Sequence, residues 1–298
     1  MDVLNISSLQ KRFGDKTVLD GLSLSVPEHS LFGFIGRNGA GKTTTMKAVL
    51  GLIKADGGDI SVCGEKVVYG QTATNRYIGY LPDVPEFYSF MTAREYLKLC
   101  GESLEMSDKD IKSRSDELLS LVGLDKENHR IKGYSRGMKQ RLGIAQALLI
   151  RPRLLICDEP TSALDPIGRK EILDILLSAK DQTTVLFSTH ILSDVERICT
   201  DVAFLNNGKI ALQDKVENLK NIRHSEEFLI EMQNPKDVEY IIQKFDNSKC
   251  EGNNIIFRGD EKRMFDILSF VASEKIAINK FEKIEPTLES LFMEVISK

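Results

Sequence analysis

An unbroken apolar run, Leu31-Phe32-Gly33-Phe34-Ile35, leads straight into Gly36-Arg37-Asn38-Gly39-Ala40-Gly41-Lys42-Thr43, and this junction constrains the fold more than any other stretch. The run predicts a buried strand. Residues 42–50 read as a helix that stops near Gly51. Strand, glycine-rich turn and helix in that order, with the spacing G-x-x-x-x-G-K-[ST], form a cradle for phosphate. Inward-pointing backbone N–H groups and the positive end of the helix dipole hold the phosphate oxygens. Lys42 is placed to reach the β- and γ-phosphates and the Thr43 hydroxyl to ligate Mg²⁺. Gly36, Asn38, Gly39, Ala40, Gly41 and Thr44 complete the candidate nucleotide loop. The bland rival is a glycine-rich turn that carries a lysine by chance, and the flanking strand and helix argue against it.

The rest of the composition sets bounds. A chain of 298 residues has room for about two domains, by the usual length prior. Net charge is -4 with 28% charged residues, and no basic stripe of the kind that neutralises nucleic-acid phosphates is present. Met1-Asp2-Val3-Leu4-Asn5 has neither a basic start nor an apolar core, so a secretory signal is not expected. No apolar run approaches the ~18 residues of a spanning helix. Cys63, Cys100, Cys157, Cys199 and Cys250 are odd in number and widely spaced, which points to small buried hydrophobes in a reducing cytosol. His29, His129, His190 and His224 lack helical metal-ligand spacing.

Along the chain, Val3, Leu4 and Ile6, then Val18, Leu22, Leu24 and Val26, alternate as short antiparallel strands do. Phe13 falls in a polar turn, Lys11 to Asp15, where it is either core or a platform on which a base stacks. A β-like run from Ile60 to Val68 precedes Tyr77–Leu81, which ends at Pro82. From Thr92 to about Leu124 the period turns helical. Thr92-Ala93-Arg94-Glu95 fits a capping box, and Ser107 to Asp110 is a second start. A helix over 135–150 follows, closed by Pro152; then come Leu154–Cys157, a central parallel strand, and Asp165-Pro166, a helix start. The run 183–187 is one more buried strand, so strands alternate with helices in parallel βαβ units. The polar helical stretch, about 84–150, is a subdomain clipped onto this core.

Residues 213–223 read as a charged connector. Beyond it the order is strand (227–232), helix (235–245, capped by Asn234), two strands meeting near Gly252, helix (261–272) and strand (276–281). That is the ferredoxin-like β-α-β-β-α-β pattern. A last helix is expected from Pro286. Hence 1–215 is one domain and 216–298 a second, accessory one without a catalytic motif.

Chemistry points to Asp158-Glu159, which ends an apolar strand. Ligands of doubly wound sheets lie beyond the carboxyl ends of strands, so both carboxylates project toward the phosphates. Asp158 is the candidate Mg²⁺ ligand and Glu159 the base that deprotonates the attacking water. His190 ends the neighbouring strand and can donate to the γ-phosphate; by composition alone a lone His there is usually incidental.

The segment Tyr134-Ser135-Arg136-Gly137-Met138-Lys139-Gln140-Arg141 resembles the signature motif, L-S-G-G-Q, of ATP-binding cassette (ABC) ATPases. Other motifs of that family stand in its order. Phe13 matches the adenine-stacking aromatic, 36–43 Walker A, 154–158 Walker B with Glu159 as catalytic glutamate, 162–165 the D-loop and His190 the switch histidine. The likeness spans roughly 2–215. Pro286–Phe292 is similar to the C-terminal extension of drug- or sodium-exporter-like ATPase subunits. The resemblance implies a P-loop NTPase core with an antiparallel β subdomain and a helical subdomain, plus a small α+β C-terminal domain. It implies ATP and Mg²⁺ as ligands, with Lys42, Glu159 and His190 catalytic. It implies a head-to-tail dimer, homomeric or with a paralogue, in which Ser135 and Gly137 of one chain contact the γ-phosphate held by the other, with Asp165 of the D-loop a further nucleotide-binding residue. Transmembrane permease subunits are then the partners, touched by the helical insert and the loop from Asp83 to Phe90, with the chain cytoplasmic and peripheral on the membrane's inner face.

Two positions depart from the pattern. Asp83 stands where the family has a Gln; it can order a metal-bound water, so it joins Thr43 and Asp158 as a candidate metal ligand. Arg136 replaces the first signature glycine and either favours ATP at the interface or crowds it. The rival from another class is a soluble ABC ATPase that acts as a switch on ribosomes or DNA. A single cassette, the lack of sustained heptads and the net negative charge disfavour it.

Overall fold

A computed structural model describes residues 2–71, 73–222, 227–245, 248–284 and 288. The chain forms two compact units, Met1–Val216 and Glu217–Lys298.

The first unit begins with a long hairpin, β1 (Asp2–Phe13) and β2 (Lys16–Pro27), paired through Phe13 opposite Lys16. These strands are not short, and Phe13 ends β1 instead of lying in a turn. Polar residues continue the ladder to the tip because register shifts after Ile6 and Lys11 absorb the breaks in alternation. β3 (Leu31–Gly36) is buried throughout and feeds α1 (Lys42–Val49). β4 (Gly57–Val62) and β5 (Glu65–Lys66) return to the hairpin, giving an antiparallel sheet of order β2-β1-β4-β5. The run expected over 60–68 is therefore split at Cys63-Gly64, where both residues adopt positive φ.

β6 (Ile78–Leu81) is followed by three helices: α2 (Ala93–Ser103), α3 (Asp108–Leu121) and α4 (Arg136–Ala147). The Thr92–Glu95 capping box forms, with Thr92 N–H donating to Glu95 Oε2 at 2.8 Å, and Ser107 and Ser135 cap α3 and α4. Then follow β7 (Leu154–Asp158), α5 (Pro166–Ala179), capped by Asp165, β8 (Thr184–Thr189), α6 (Leu192–Ile198), β9 (Asp201–Asn206) and β10 (Lys209–Lys215). The central sheet has the order β10-β9-β3-β8-β7-β6, parallel from β9 to β6, with β10 antiparallel at its edge. Residues 213–215 thus belong to a strand, and the connector beyond it is helical, α7 (Val216–Ile222). Edge strand β10 buries none of its side chains fully, which is why its polar sequence reads as a linker. Between the two sheets lies a core that includes Phe32, Phe34, Met46, Leu24 and Ile156.

The second unit contains β11 (Glu227–Met232), α8 (Pro235–Lys244), β12 (Ser248–Glu251), β13 (Asn254–Arg258), α9 (Glu261–Ser273) and β14 (Ile278–Lys283). Its sheet has the order β12-β13-β11-β14, antiparallel throughout. Alternate residues Phe228, Ile230 and Met232 pack with Ile255, Phe257, Ile241 and Ile267 in a core of their own. The helix expected from Pro286, and the Pro286–Phe292 segment, lie outside the described residues except for Leu288, which is helical and buried.

Candidate functional site

The carboxyl ends of β3, β7 and β8 bring the chemistry-bearing residues together. The turn after β3 has Gly39 at φ +81° and Gly41 at φ +113°, conformations that L side chains avoid. A Cβ on Gly41 would lie 2.8 Å from Leu19 Cδ2, so β2 passes directly against the loop. Lys42, almost fully buried, donates to Gly36 O at 2.7 Å and stands 3.0 Å from Glu159 Oε1. That oxygen makes no aligned hydrogen bond, while Glu159 Oε2 lies 2.9 Å from His190 Nδ1. Lys42, at the start of α1, and His190, just beyond β8, therefore flank the two oxygens of one carboxylate.

Glu159 adopts φ +48°, immediately after β7. A left-handed conformation at a non-glycine residue costs about 1–3 kcal/mol and is found where geometry matters. Ser188 holds it: the Glu159 N–H donates to Ser188 Oγ at 2.9 Å, and Ser188 Oγ donates to Asp158 Oδ1 at 2.7 Å. One hydroxyl thus fixes both acids. Sequence reading missed Ser188; its signal was its place two residues before His190 at the same strand end.

A second network was also missed. The Asp194 carboxylate, on α6, is buried and accepts from Thr161 Oγ1 at 2.8 Å and Arg169 Nε at 2.5 Å, and Arg169 Nη2 donates to Ser193 Oγ at 2.8 Å. It joins the turn after Glu159 to the turn after His190. A Thr, an Arg and an Asp so far apart in sequence carry no local signal.

Asp83 follows β6. Burial pushes its carboxyl up, Arg136 opposes that, and the negative charges of Asp158 and Glu159 add to it. Arg136 Nη2 lies 3.3 Å from Asp83 Oδ1, so the two departures from the family pattern touch each other. Gly137 lies beside Leu164, which brings the start of α4 near the Asp165 turn of its own chain. Phe13 is half exposed at the hairpin tip, with Lys11 Nζ 5.1 Å from its ring centre.

These residues fit a nucleotide and a hard divalent ion. The loop is a glycine turn, at positive φ in Gly39 and Gly41, that opens α1; Glu159 Oε1 beside it is a buried oxygen without an aligned hydrogen bond, and Thr43, Asp158 and Asp83 offer oxygen donors suited to Mg²⁺. Among the described residues no cluster of three or more His, Cys, Asp or Glu side chains could hold a metal alone. Mg²⁺ at such a site completes its shell from substrate phosphates and water. Bound there, it would neutralise phosphate charge.

A parallel sheet with a phosphate loop after one strand and paired acids after another defines a P-loop nucleotide-hydrolysing core. The profile of the ABC transporter family matches residues 19–162. YxlF of Bacillus subtilis strain 168, an uncharacterized ABC transporter ATP-binding protein, is 36% identical over 99% of both chains. The bacitracin transport ATP-binding protein BcrA of Bacillus licheniformis is 41% identical over 82% of this chain and 80% of its own. A solved ATP-binding subunit of an ABC transporter is 30% identical, covers 74% of this chain and 92% of its own, and superposes with TM-score 0.65. The chain belongs to the ATP-binding proteins of ABC transporters, which bind ATP with Mg²⁺ and hydrolyse it to drive transport.

Proposed function

We propose that this chain is the ATPase subunit of an exporter whose membrane-spanning subunits are separate chains. No helix among the described residues is long and apolar enough to cross a membrane. The relatives BcrA and SrtF of Streptococcus pyogenes, the latter 37% identical over 74% of this chain and 94% of its own, are named for bacitracin and lantibiotic transport. Those names favour export of a peptide antibiotic or a similar amphiphile. Val84, Tyr88 and Phe90 are exposed within one short loop after Asp83, an apolar cluster suited to a permease at the membrane's inner face.

In this reading Lys42 and the loop from Gly36 to Thr44 hold the phosphates, and Phe13 stacks the base. Thr43 and Asp158, with Asp83, hold Mg²⁺ directly or through water. Glu159 takes a proton from the attacking water, and His190 orients Glu159 and donates to the γ-phosphate. The acceptor side chains are preset by Ser188, so little reorganisation accompanies the proton transfer. Ser135, Gly137 and Asp165 of a second copy or a paralogue complete the far side of the γ-phosphate, where one chain has no donors. Residues 216–298 form an accessory domain of ferredoxin-like order. The Lys42–Glu159–His190 contact is the observation that carries this mechanism.

Co-purification tests the transport reading. A tagged chain extracted from membranes in detergent brings down a stoichiometric multi-span protein that raises its ATPase rate. Ribosomal proteins or nucleic acid, with no membrane partner, would overturn it.

A further inference from the structure

Arg136 occupies the first helical position of α4, behind the Ser135 cap, and the first turn of that helix has no acidic residue. A cation there opposes the helix dipole, so helix stability does not explain it. Its guanidinium instead meets Asp83 on the loop after β6, at 3.3 Å. One turn further along α4, the fully buried Gln140 donates through Nε2 to Asp83 O at 2.6 Å. The loop is therefore fastened to the helix through Gln140 and joined to it again through Arg136. The first contact is short and made by a side chain that is fully buried. The second is a pair with 43% and 48% of its side chains exposed, and solvent-exposed ion pairs are weak. A phosphate offers a guanidinium two oxygens at once and a stronger, bidentate bond.

We propose that Arg136 is a γ-phosphate-binding cation supplied in trans, held by Asp83 in the single chain and transferred to the nucleotide of a second copy when the two close. Asp83 is then a positioning residue for Arg136. The inference rests on the head-to-tail dimer proposed above, because only there do Ser135 and Gly137, which flank Arg136, face a γ-phosphate. It gives the two substitutions in this chain one joint purpose: the carboxylate keeps the guanidinium from folding into the chain's own acids, and the guanidinium adds charge where closure is decided.

The test uses the full chain carrying Glu159→Gln, with dimer fraction followed by sedimentation while ATP or ADP is titrated. Arg136→Gly raises the ATP concentration for half-dimerisation about tenfold or more, the worth of one charge-assisted hydrogen bond. Arg136→Lys, a point charge without the fork, falls between. Asp83→Asn lowers that concentration when Arg136 is present; in the Arg136→Gly background it does not lower it, because only the share of Asp83 in holding Mg²⁺ is then lost. Equal ATP requirement for the parent and Arg136→Gly, or an Asp83→Asn shift of the same size in both backgrounds, overturns the inference. If the Glu159→Gln parent stays monomeric at saturating ATP, the head-to-tail reading falls and this inference with it.

Discussion

Lys42 Nζ lies 3.0 Å from Glu159 Oε1, and the same ammonium donates to Gly36 O. The candidate phosphate-binding cation and the candidate base are thus in direct contact, with His190 on the other oxygen of Glu159. A phosphate that takes the lysine's donors releases one carboxylate oxygen to accept a proton. Binding and readiness for catalysis are then linked through a single ion pair.

Lys42→Ala removes the side chain proposed to reach the phosphates. ATP affinity falls at least about tenfold, since hydrogen bonds to charged groups contribute about 1.5–3 kcal/mol. A titration with a fluorescent ATP analogue checks this, and unchanged affinity would count against the assigned role.

Asp194→Ala leaves Arg169 and Thr161 without their buried acceptor. Breaking a buried pair from one side costs about 3–5 kcal/mol, and Arg169 is partly solvated, so the expected loss is about 2–3 kcal/mol. Urea unfolding of the variant measures it. Because the network ties the turn after Glu159 to the turn after His190, turnover falls as well.

Gly79 is needed for close approach, not for an unusual φ. A Cβ there would sit 2.1 Å from Ala147 O, at the end of α4. Gly79→Ala forces α4 away from β6 at a cost of about 1–3 kcal/mol or more. Thermal unfolding that matched the parent would contradict this packing.

Tyr80, on β6, has its phenol pushed up to about 12 by burial first, then by the negative charge of Asp158 and its neighbours. Its neutral form is favoured in the fold, so its contribution to stability is complete below pH ~10 and is lost as pH rises toward about 12. Absorbance at the tyrosinate band during an alkaline titration follows it. Burial also pushes the Tyr96 and Tyr134 phenols up, so Tyr80→Phe lowers the amplitude of the late-titrating phase by one phenol; an unchanged amplitude would refute the assignment.

Much of this arrangement is legible in the sequence because the signals are local. The apolar runs before Gly36 and Asp158, the Thr92–Glu95 capping box and the Asp165-Pro166 helix start each lie within a few residues. The Asp83–Arg136 pair, the Ser188 bridge and the Asp194 junction are not legible, because each joins residues that only the sheet order brings together. Strand β10 is missed for a different reason. The alternation of half-buried Ile210 and Leu212 gives way to Gln213-Asp214-Lys215, and those three polar residues look like a linker. The hairpin tip is misread because register shifts let polar residues remain paired as far as Phe13.

The central claim is that Glu159 is the base. Single-turnover hydrolysis of ATP by the parent and by Glu159→Gln, each with its ATP affinity, tests it most directly. The account predicts that the variant binds ATP as tightly as the parent and hydrolyses it about 10²–10⁴-fold more slowly, the usual worth of a positioned general base. Hydrolysis within a few-fold of the parent would show that Glu159 does not take the proton.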